Sequence, residues 1–244
     1  MKRARILVIE GTDGSGKETQ SKKLYDYLLE NGYKVKRYSF PMYDTPTGKI
    51  VGGPYLGKGE ISESYFPETS ANVDPLVSSL YYAADRRYNF LKTIEDEMYK
   101  NDIIILDRYI TSNMGHQASK ASSDEEREKI LKFIEVLEYD LCELPKPDKV
   151  IFLHMSYEAS ALLREGRAYS DGNESNETHL RNAEKSYIKL ANKYNWHYIN
   201  CLKSETFKTK DDIKSIDEIH EEVVAATYEI LNSEVKDIKK MTRF

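Results

Sequence analysis

An α/β fold, a doubly wound sheet of five parallel strands flanked by helices, is predicted for this chain by three observations. Five apolar, β-branched runs alternate with helical patterns along its 244 residues, the order that puts helices on both faces of a parallel sheet. Three of those runs are short and nearly continuous: ILVI at 6–9, IIIL at 103–106 and KVIFLHM at 149–155. Central strands covered on both faces read in that way. A glycine-rich turn then separates the first strand from the first helix, at the edge where such sheets bind ligands.

The elements follow in order. After the strand ILVI comes a helix over 17–30, with Leu24 and Leu28 on one face and Gly32 as its stop. YKVKRYSF at 33–40 is the second strand. Asp74-Pro75, a capping residue followed by proline in the first turn, opens a long helix over 74–100. IIIL is the third strand. Ser123 with Glu126 forms a capping box for a helix reaching about Leu141. KVIFLHM is the fourth strand, helices fit 156–165 and 177–194, and WHYIN at 196–200 is the fifth strand. Residues 202–214 read as a surface loop, and Ser215 with Glu218 boxes a last helix over 215–232. Residues 233–244 read as a polar extension or frayed helix. No linker divides the chain, so 1–232 is expected to be one domain.

Composition excludes several classes. With 40% hydrophobic and 32% charged residues the chain is globular, and at this length it buries about 75% of its unfolded surface. A net charge of -5 leaves no electrostatic footprint for nucleic acid or an anionic membrane. No run approaches the ~20 apolar residues of a membrane span, and the apolar run after MKRAR is too short for a signal peptide. Cys142 and Cys201 have no metal-like or redox spacing, as expected of buried thiols in a reducing, cytoplasmic setting.

The turn EGTDGSGKETQ, residues 10–20, carries the chemistry. A phosphate-binding loop is written G-x-x-x-x-G-K-[ST], and Gly11, Gly16 and Lys17 fall in register. Glycines let backbone N–H groups turn inward around phosphate oxygens, and the helix N-terminus adds positive potential. Lys17 can reach the terminal phosphates. A ligand-less glycine turn is the bland alternative, and strand, helix and lysine together argue against it. The second motif is Asp107-Arg108-Tyr109 at the carboxyl end of the third strand. Asp107 there can hold magnesium directly or through water, and Arg108 offers a rigid fork for a phosphate. Alone, the two would read as a surface pair.

These residues resemble the thymidylate kinase family of P-loop nucleoside monophosphate kinases. The loop Gly11-Thr12-Asp13-Gly14-Ser15-Gly16-Lys17 is similar to the family's G-x-D-G-x-G-K, and DRYITSNMGHQ (107–117) to its D-R-Y-x-x-S-x-x-x-Y-Q. Phe40-Pro41 stands where the family has a Phe-Pro pair, and LYYAADR carries Tyr82 and Arg86 in place of L-F-x-A-x-R. The likeness runs over roughly residues 5–232. It implies transfer of the γ-phosphoryl of MgATP to the 5′-phosphate of dTMP, with ATP and Mg2+ on Gly11, Asp13, Gly14, Ser15, Gly16, Lys17, Glu18 and Thr19. It implies an acceptor site of Asp13, Phe40, Pro41, Tyr82, Arg86, Arg108, Ser112, His116 and Gln117. Asp13 would reach the sugar 3′-hydroxyl, Tyr82 stack on thymine, Arg86 donate to a base carbonyl, and Arg108 bind the acceptor phosphate. LLREGRAYSDGNESNE resembles the family's mobile lid (near 164–177), whose Arg164 and Arg167 would close over the transferred group. Since position 14 is glycine, the lid is the remaining arginine source. Tyr187 matches a common family tyrosine, which core packing explains equally well. The resemblance also implies a homodimer.

Three positions depart from the family pattern. Tyr43 stands where many relatives place an arginine, His116 replaces an aromatic that helps exclude a 2′-hydroxyl, and Glu18 replaces the hydroxyl that holds magnesium. A carboxylate is a hard oxygen ligand and is tolerated in a first helical turn, so Glu18 is expected to contact magnesium directly or through its water shell, together with Asp107. Thr19 is rotated about 100° away. Catalysis is expected from Lys17, Asp107, Arg108, Arg164 and Arg167, by aligning two anions and neutralising charge. Two rivals stand beside dTMP kinase: a kinase for another (deoxy)nucleoside monophosphate, and a nucleotide-binding protein without turnover.

Overall fold

The computed structural model of the chain describes residues 3–164, 177–205, 207–235, 237–238 and 240–243. Five strands, β1 (Arg5–Gly11), β2 (Val35–Ser39), β3 (Ile103–Asp107), β4 (Lys149–His154) and β5 (His197–Asn200), form one sheet in the order β2-β3-β1-β4-β5. Every pairing is parallel, as predicted. Every residue of β1 and of β3 is buried. Side chains alternate across a pleat, so Ile6 and Val8 enter one core with Ile104 and Leu106. Leu7 and Ile9 enter the other, with Ile103, Ile105 and Leu24 and Leu28 of helix α1 (Lys17–Glu30). That two-sided demand is why these runs have no polar alternation.

The long helix after residue 74 is α3 (Pro75–Asn89), which widens into a π turn (Phe90–Ile94) and ends in α4 (Glu95–Glu97). Asp74 caps it, its Oδ1 accepting from Leu76 N at 2.9 Å and Val77 N at 3.0 Å. α6 (Asp124–Glu135) likewise widens into a π turn (Val136–Leu141). Ser123 caps it, but Glu126 accepts from the N–H and hydroxyl of Ser122 rather than closing the box on Ser123. α7 (Tyr157–Arg164), α8 (Glu177–Lys193) and α9 (Ile216–Leu231) stand close to expectation, and the Ser215–Glu218 box is present.

Two α-helices among the described residues were not predicted. α2 (Pro46–Ile50) runs into a π turn (Val51–Tyr55) through Gly52, Gly53 and Pro54, residues that read as breakers. Tertiary packing overrides them: Val51, Tyr55, Leu56 and Val73 form a small separate core. α5 (Ile110–Ala118) is nine residues long and rich in polar groups, too short for periodicity to reveal. Within 202–214, read as a loop, Leu202 is buried and bridges to Ile213. The end of the chain is not a solvated extension throughout. Met241 is buried against the α3 side of the core, Thr242 bonds to Glu143, and Arg243 pairs with Glu95. Among the described residues no helix is long and apolar enough to cross a membrane.

Candidate active site

The carboxyl ends of β1, β3 and β4 meet at one edge of the sheet, and the loop of residues 12–16 lies across it. Gly11 admits no side chain, because a Cβ there would sit 2.4 Å from Ser15 Oγ and 2.5 Å from the Leu153 carbonyl. Gly14 and Gly16 have φ of 80° and 82°, a left-handed turn that glycine adopts without strain. Thr12 was missed from the sequence as a structural pin: its hydroxyl donates to Met155 O at 2.7 Å and accepts from Met155 N at 2.9 Å. α1 then starts at Lys17 with no side-chain cap on Gly16, so its first N–H groups stay available to an anion. Ser15 Oγ is buried and has no partner among the described residues. Glu18 and Thr19 both point outward from α1.

Lys17 folds over this loop, its Nζ donating to Gly11 O at 2.9 Å and Thr12 O at 2.8 Å. Burial pushes its ammonium down to about 8, reinforced by the Arg108 charge and opposed by Asp13 and Glu10. Asp13 lies 3.8 Å from Lys17 Nζ and accepts from Arg108 Nη2 at 3.1 Å. Burial alone would raise the Asp13 carboxyl, but Lys17 and Arg108 hold it well below the usual carboxylate range. The Arg108 backbone is left-handed, with φ of 65°, a conformation that costs a non-glycine residue about 1–2 kcal/mol. That turn lets Arg108 N bond Ile9 O at 3.1 Å and returns its side chain toward the loop.

Two further residues went unread in the sequence. Glu10 is fully buried and accepts from Gly11 N, Thr111 and Ser112. An acid ending an apolar strand was the available signal. Ser112, expected at the acceptor, therefore has its proton committed to Glu10 Oε2 at 2.7 Å. Arg37 on β2 donates to Asp107 Oδ2 at 2.7 Å and to Ser21 Oγ at 2.8 Å. Ser39 donates to the same Oδ2 at 3.2 Å, and no described residue bonds Oδ1. Asp107 is thus gripped by one oxygen. Glu18 does not converge with it as expected: its carboxylate takes Lys22 Nζ at 2.5 Å and its side chain is 69% exposed. That is an (i, i+4) pairing on an exposed helix face. Among the described residues no three His, Cys, Asp or Glu converge on a metal.

The second half of the site lies between α3 and α5. Tyr82 packs edge-on to Tyr55, and Arg86 lies over its ring at 5.9 Å. Arg86 is not free to serve a ligand alone. It forms a two-point ion pair with Glu138 of the π turn after α6, through Nε and through Nη2 at 2.5 Å, and both side chains are buried. Burial disfavours the Arg86 charge, and Glu138 more than offsets it. Only its remaining N–H groups are left for a base, and Nη1 already leans on Tyr109 O at 3.4 Å. Asn113 and Gln117 lie one turn apart on α5, and Asn113 Oδ1 and Gln117 Oε1 are both buried without a partner among the described residues. Such a group costs about 1–3 kcal/mol unless something donates to it, which marks a place built to receive a donor. Phe40-Pro41, joined by a cis bond, closes this side. Asp85 steadies it, accepting from Met42 N and Thr47.

His116 does not stand as an isolated replacement. Its Nδ1 lies 3.3 Å from His179 Nε2 with near-parallel rings whose centroids are 5.4 Å apart, so one imidazole donates and the other accepts, according to tautomer. Burial pushes His116 down to about 3 and His179 to about 4. Tyr187 packs edge-on to His116 and onto Gly115, where a Cβ would meet its ring at 2.4 Å. Arg164 ends α7, but its side chain and all of Arg167 lie outside the described residues.

Known proteins resemble this chain over most of its length. A probable thymidylate kinase of Pyrococcus abyssi (strain GE5 / Orsay) is 28% identical over 227 residues, covering 91% of this chain and 95% of that protein. The thymidylate kinase of Mycobacterium tuberculosis (strain ATCC 25618 / H37Rv) is 29% identical over 184 residues, covering 73% and 79%. The solved thymidylate kinase of Candida albicans shares the fold with a TM-score of 0.69 at 22% identity, covering 99% of this chain and 100% of that one. The family model described as thymidylate kinase matches residues 9–213. That match runs from within β1 to the bridge after β5, through every strand of the sheet, and the chain belongs to the thymidylate kinase family.

Proposed function

We propose that the chain transfers the γ-phosphoryl group of MgATP to the 5′-phosphate of dTMP, giving dTDP and ADP. The observation that carries this is the pairing at 3.1 Å of Asp13, in the phosphate loop, with Arg108, just ahead of α5. One half-site suits triphosphate oxygens and the other a nucleoside, and the pair joins them. ATP lies on Gly11 to Lys17, with loop N–H groups and the Lys17 ammonium on its phosphates. The acceptor lies against Phe40, Pro41, Tyr82, Arg86, His116 and Gln117, with Asp13 on its sugar and Arg108 on its phosphate. No covalent protein intermediate is needed; the residues align two anions and spread the charge that develops.

Magnesium fits at Asp107, a buried carboxylate with one oxygen fixed by Arg37 and Ser39 and the other bonded by no described residue. One or two protein carboxylates plus substrate phosphates are a usual magnesium environment, and the ion would supply charge neutralisation between the terminal phosphates. Glu18 fits less well, being held by Lys22, and acts as a negative charge beside the loop. Glu18→Thr should therefore tighten metal-free ATP by about 3–10-fold and change MgATP affinity little, as read by titration calorimetry. Equal metal-free affinities in the two proteins would make Glu18 neutral.

A coupled ADP-release assay with ATP, magnesium and each nucleoside monophosphate tests the function. dTMP should give the highest kcat/KM. Preference for another monophosphate would favour the first rival, and ATP binding with no ADP from any acceptor the second. We further propose a homodimer packed through α3, where Leu76, Val77 and Leu80 are 38%, 39% and 51% exposed on one helix. Light scattering should give twice the chain mass for the wild type and the single mass for Leu80→Glu; a monomeric wild type would end this proposal.

A further inference from the structure

Glu138 lies outside every motif that the sequence singles out, on the π turn Val136–Leu141, with a fully buried side chain. Three N–H donors converge on its carboxylate. Arg86 supplies two, and Asn113 Nδ2 supplies the third, 2.8 Å from Oε1. An amide side chain is ordinarily free to exchange its oxygen and nitrogen by a half-turn. Here it is not. A carboxylate clamped on an arginine offers only lone pairs, so Asn113 must present its NH2 to Glu138. Its Oδ1 is then forced to the other side, where it is buried and has no partner among the described residues. Oδ1 is closed to water in this arrangement, so a base reaches it only by parting the side chains between α3 and α5.

We propose that Glu138 is a positioning residue for base selection. By accepting from Asn113 Nδ2 and from Arg86, it locks Oδ1 of Asn113 as an acceptor toward the base. The complementary base carries a ring N–H between two carbonyls, as pyrimidine-2,4-diones do at N3. Cytosine presents a bare acceptor nitrogen at that position and would face Oδ1 lone pair to lone pair. A site whose polar group is fixed discriminates far more strongly than one that can rotate to suit. This inference rests on the dTMP reading of the acceptor site and adds to it the group that enforces the choice.

The test is E138Q, which keeps the volume but puts a donor where there were only acceptors. The glutamine carbonyl takes Arg86, its NH2 turns to Asn113, and the Asn113 amide rotates to place Nδ2 toward the base. The ratio of kcat/KM for dTMP over dCMP should fall by at least about 10²-fold, with dUMP following dTMP and with the KM for ATP unchanged. Acceptor binding measured by calorimetry without ATP should shift in the same ratio. Asn113→Ala should abolish the effect: in that background E138Q should leave the ratio where Asn113→Ala alone puts it. A purely structural Glu138 would lower all acceptors alike, and an unchanged ratio in E138Q overturns the lock. If E138Q does not fold, the wild type can still overturn the proposal, because dTMP methylated at N3 should be used at least about 10²-fold less well than dTMP. Equal use of the two overturns the proposal. A wild type inactive on dTMP would instead refute the underlying function, which keeps the two failures apart.

Discussion

Alanine at Arg164 or at Arg167 is expected to lower kcat by about 10³–10⁵, the range of an arginine that stabilises charge on a transferring phosphoryl group. The reason lies in the loop. Gly14 has φ of 80°, and a Cβ there would stand 3.0 Å from the Cβ of Ser160. α7 is packed onto the loop at that point, so position 14 carries no side chain of its own. The family resemblance implies an arginine from either the loop or the lid, so with no side chain at position 14 the expected source is the lid, and Arg164 closes α7. Glu184 of α8 fixes the other end of α7 by accepting from Tyr157 N at 2.9 Å, which sets the direction in which the helix delivers its last residue. The KM values for both substrates should change little, because the interaction forms in the transition state. Single-turnover quench-flow measures the chemical step directly. Full kcat in both alanine variants would place the missing charge elsewhere.

Lys17→Met should lower kcat by about 10²–10³, the loss seen when one fixed donor to developing negative charge is removed. The lysine is already poised: two loop carbonyls hold its Nζ, and exchange of those carbonyls for phosphate oxygens needs little motion. Its pH dependence has a definite sign. Burial pushes the ammonium down to about 8, so in the free enzyme the charge is complete at lower pH and is lost as pH rises through 8. kcat/KM for ATP, which reports free-enzyme groups, should fall on that limb. Bound phosphates favour the ammonium, so the limb in kcat should lie at higher pH. Lys17→Arg should remove the limb in kcat/KM, because guanidinium does not deprotonate in this range. A flat wild-type kcat/KM profile between pH 7 and 9 would show that Lys17 does not touch the nucleotide.

The phosphate loop was legible because its chemistry is local. Gly11, Gly14, Gly16 and Lys17 act within one turn between a strand and a helix, and the positive φ at Gly14 and Gly16 is a demand that sequence states directly. The sheet was legible for the same kind of reason. ILVI and IIIL lack polar alternation because both faces of β1 and β3 are covered, and burial leaves that trace residue by residue. Asp107 and Arg108 were readable as the polar ending of such a run.

The partners of those residues were not readable, because contact across the sequence leaves no spacing to detect. Arg37 reaches Asp107 from 70 residues away, and Arg86 finds Glu138 from 52 residues away. Glu18 was readable as an acid beside the loop, but its pairing with Lys22 on the exposed face of α1 was not. His116 looked like a lone substitution until α8 brought His179 to it. α2 and its π turn carry glycine and proline signals against helix, and burial of Val51 and Tyr55 decided otherwise. The sequence by itself determined the strands, the loop and the reaction class, since these depend on periodicity and short-range geometry. Only the tertiary structure decided which oxygen of Asp107 is free, which way the Asn113 amide faces and what Arg86 is tied to, since each is settled by a donor or acceptor from another element.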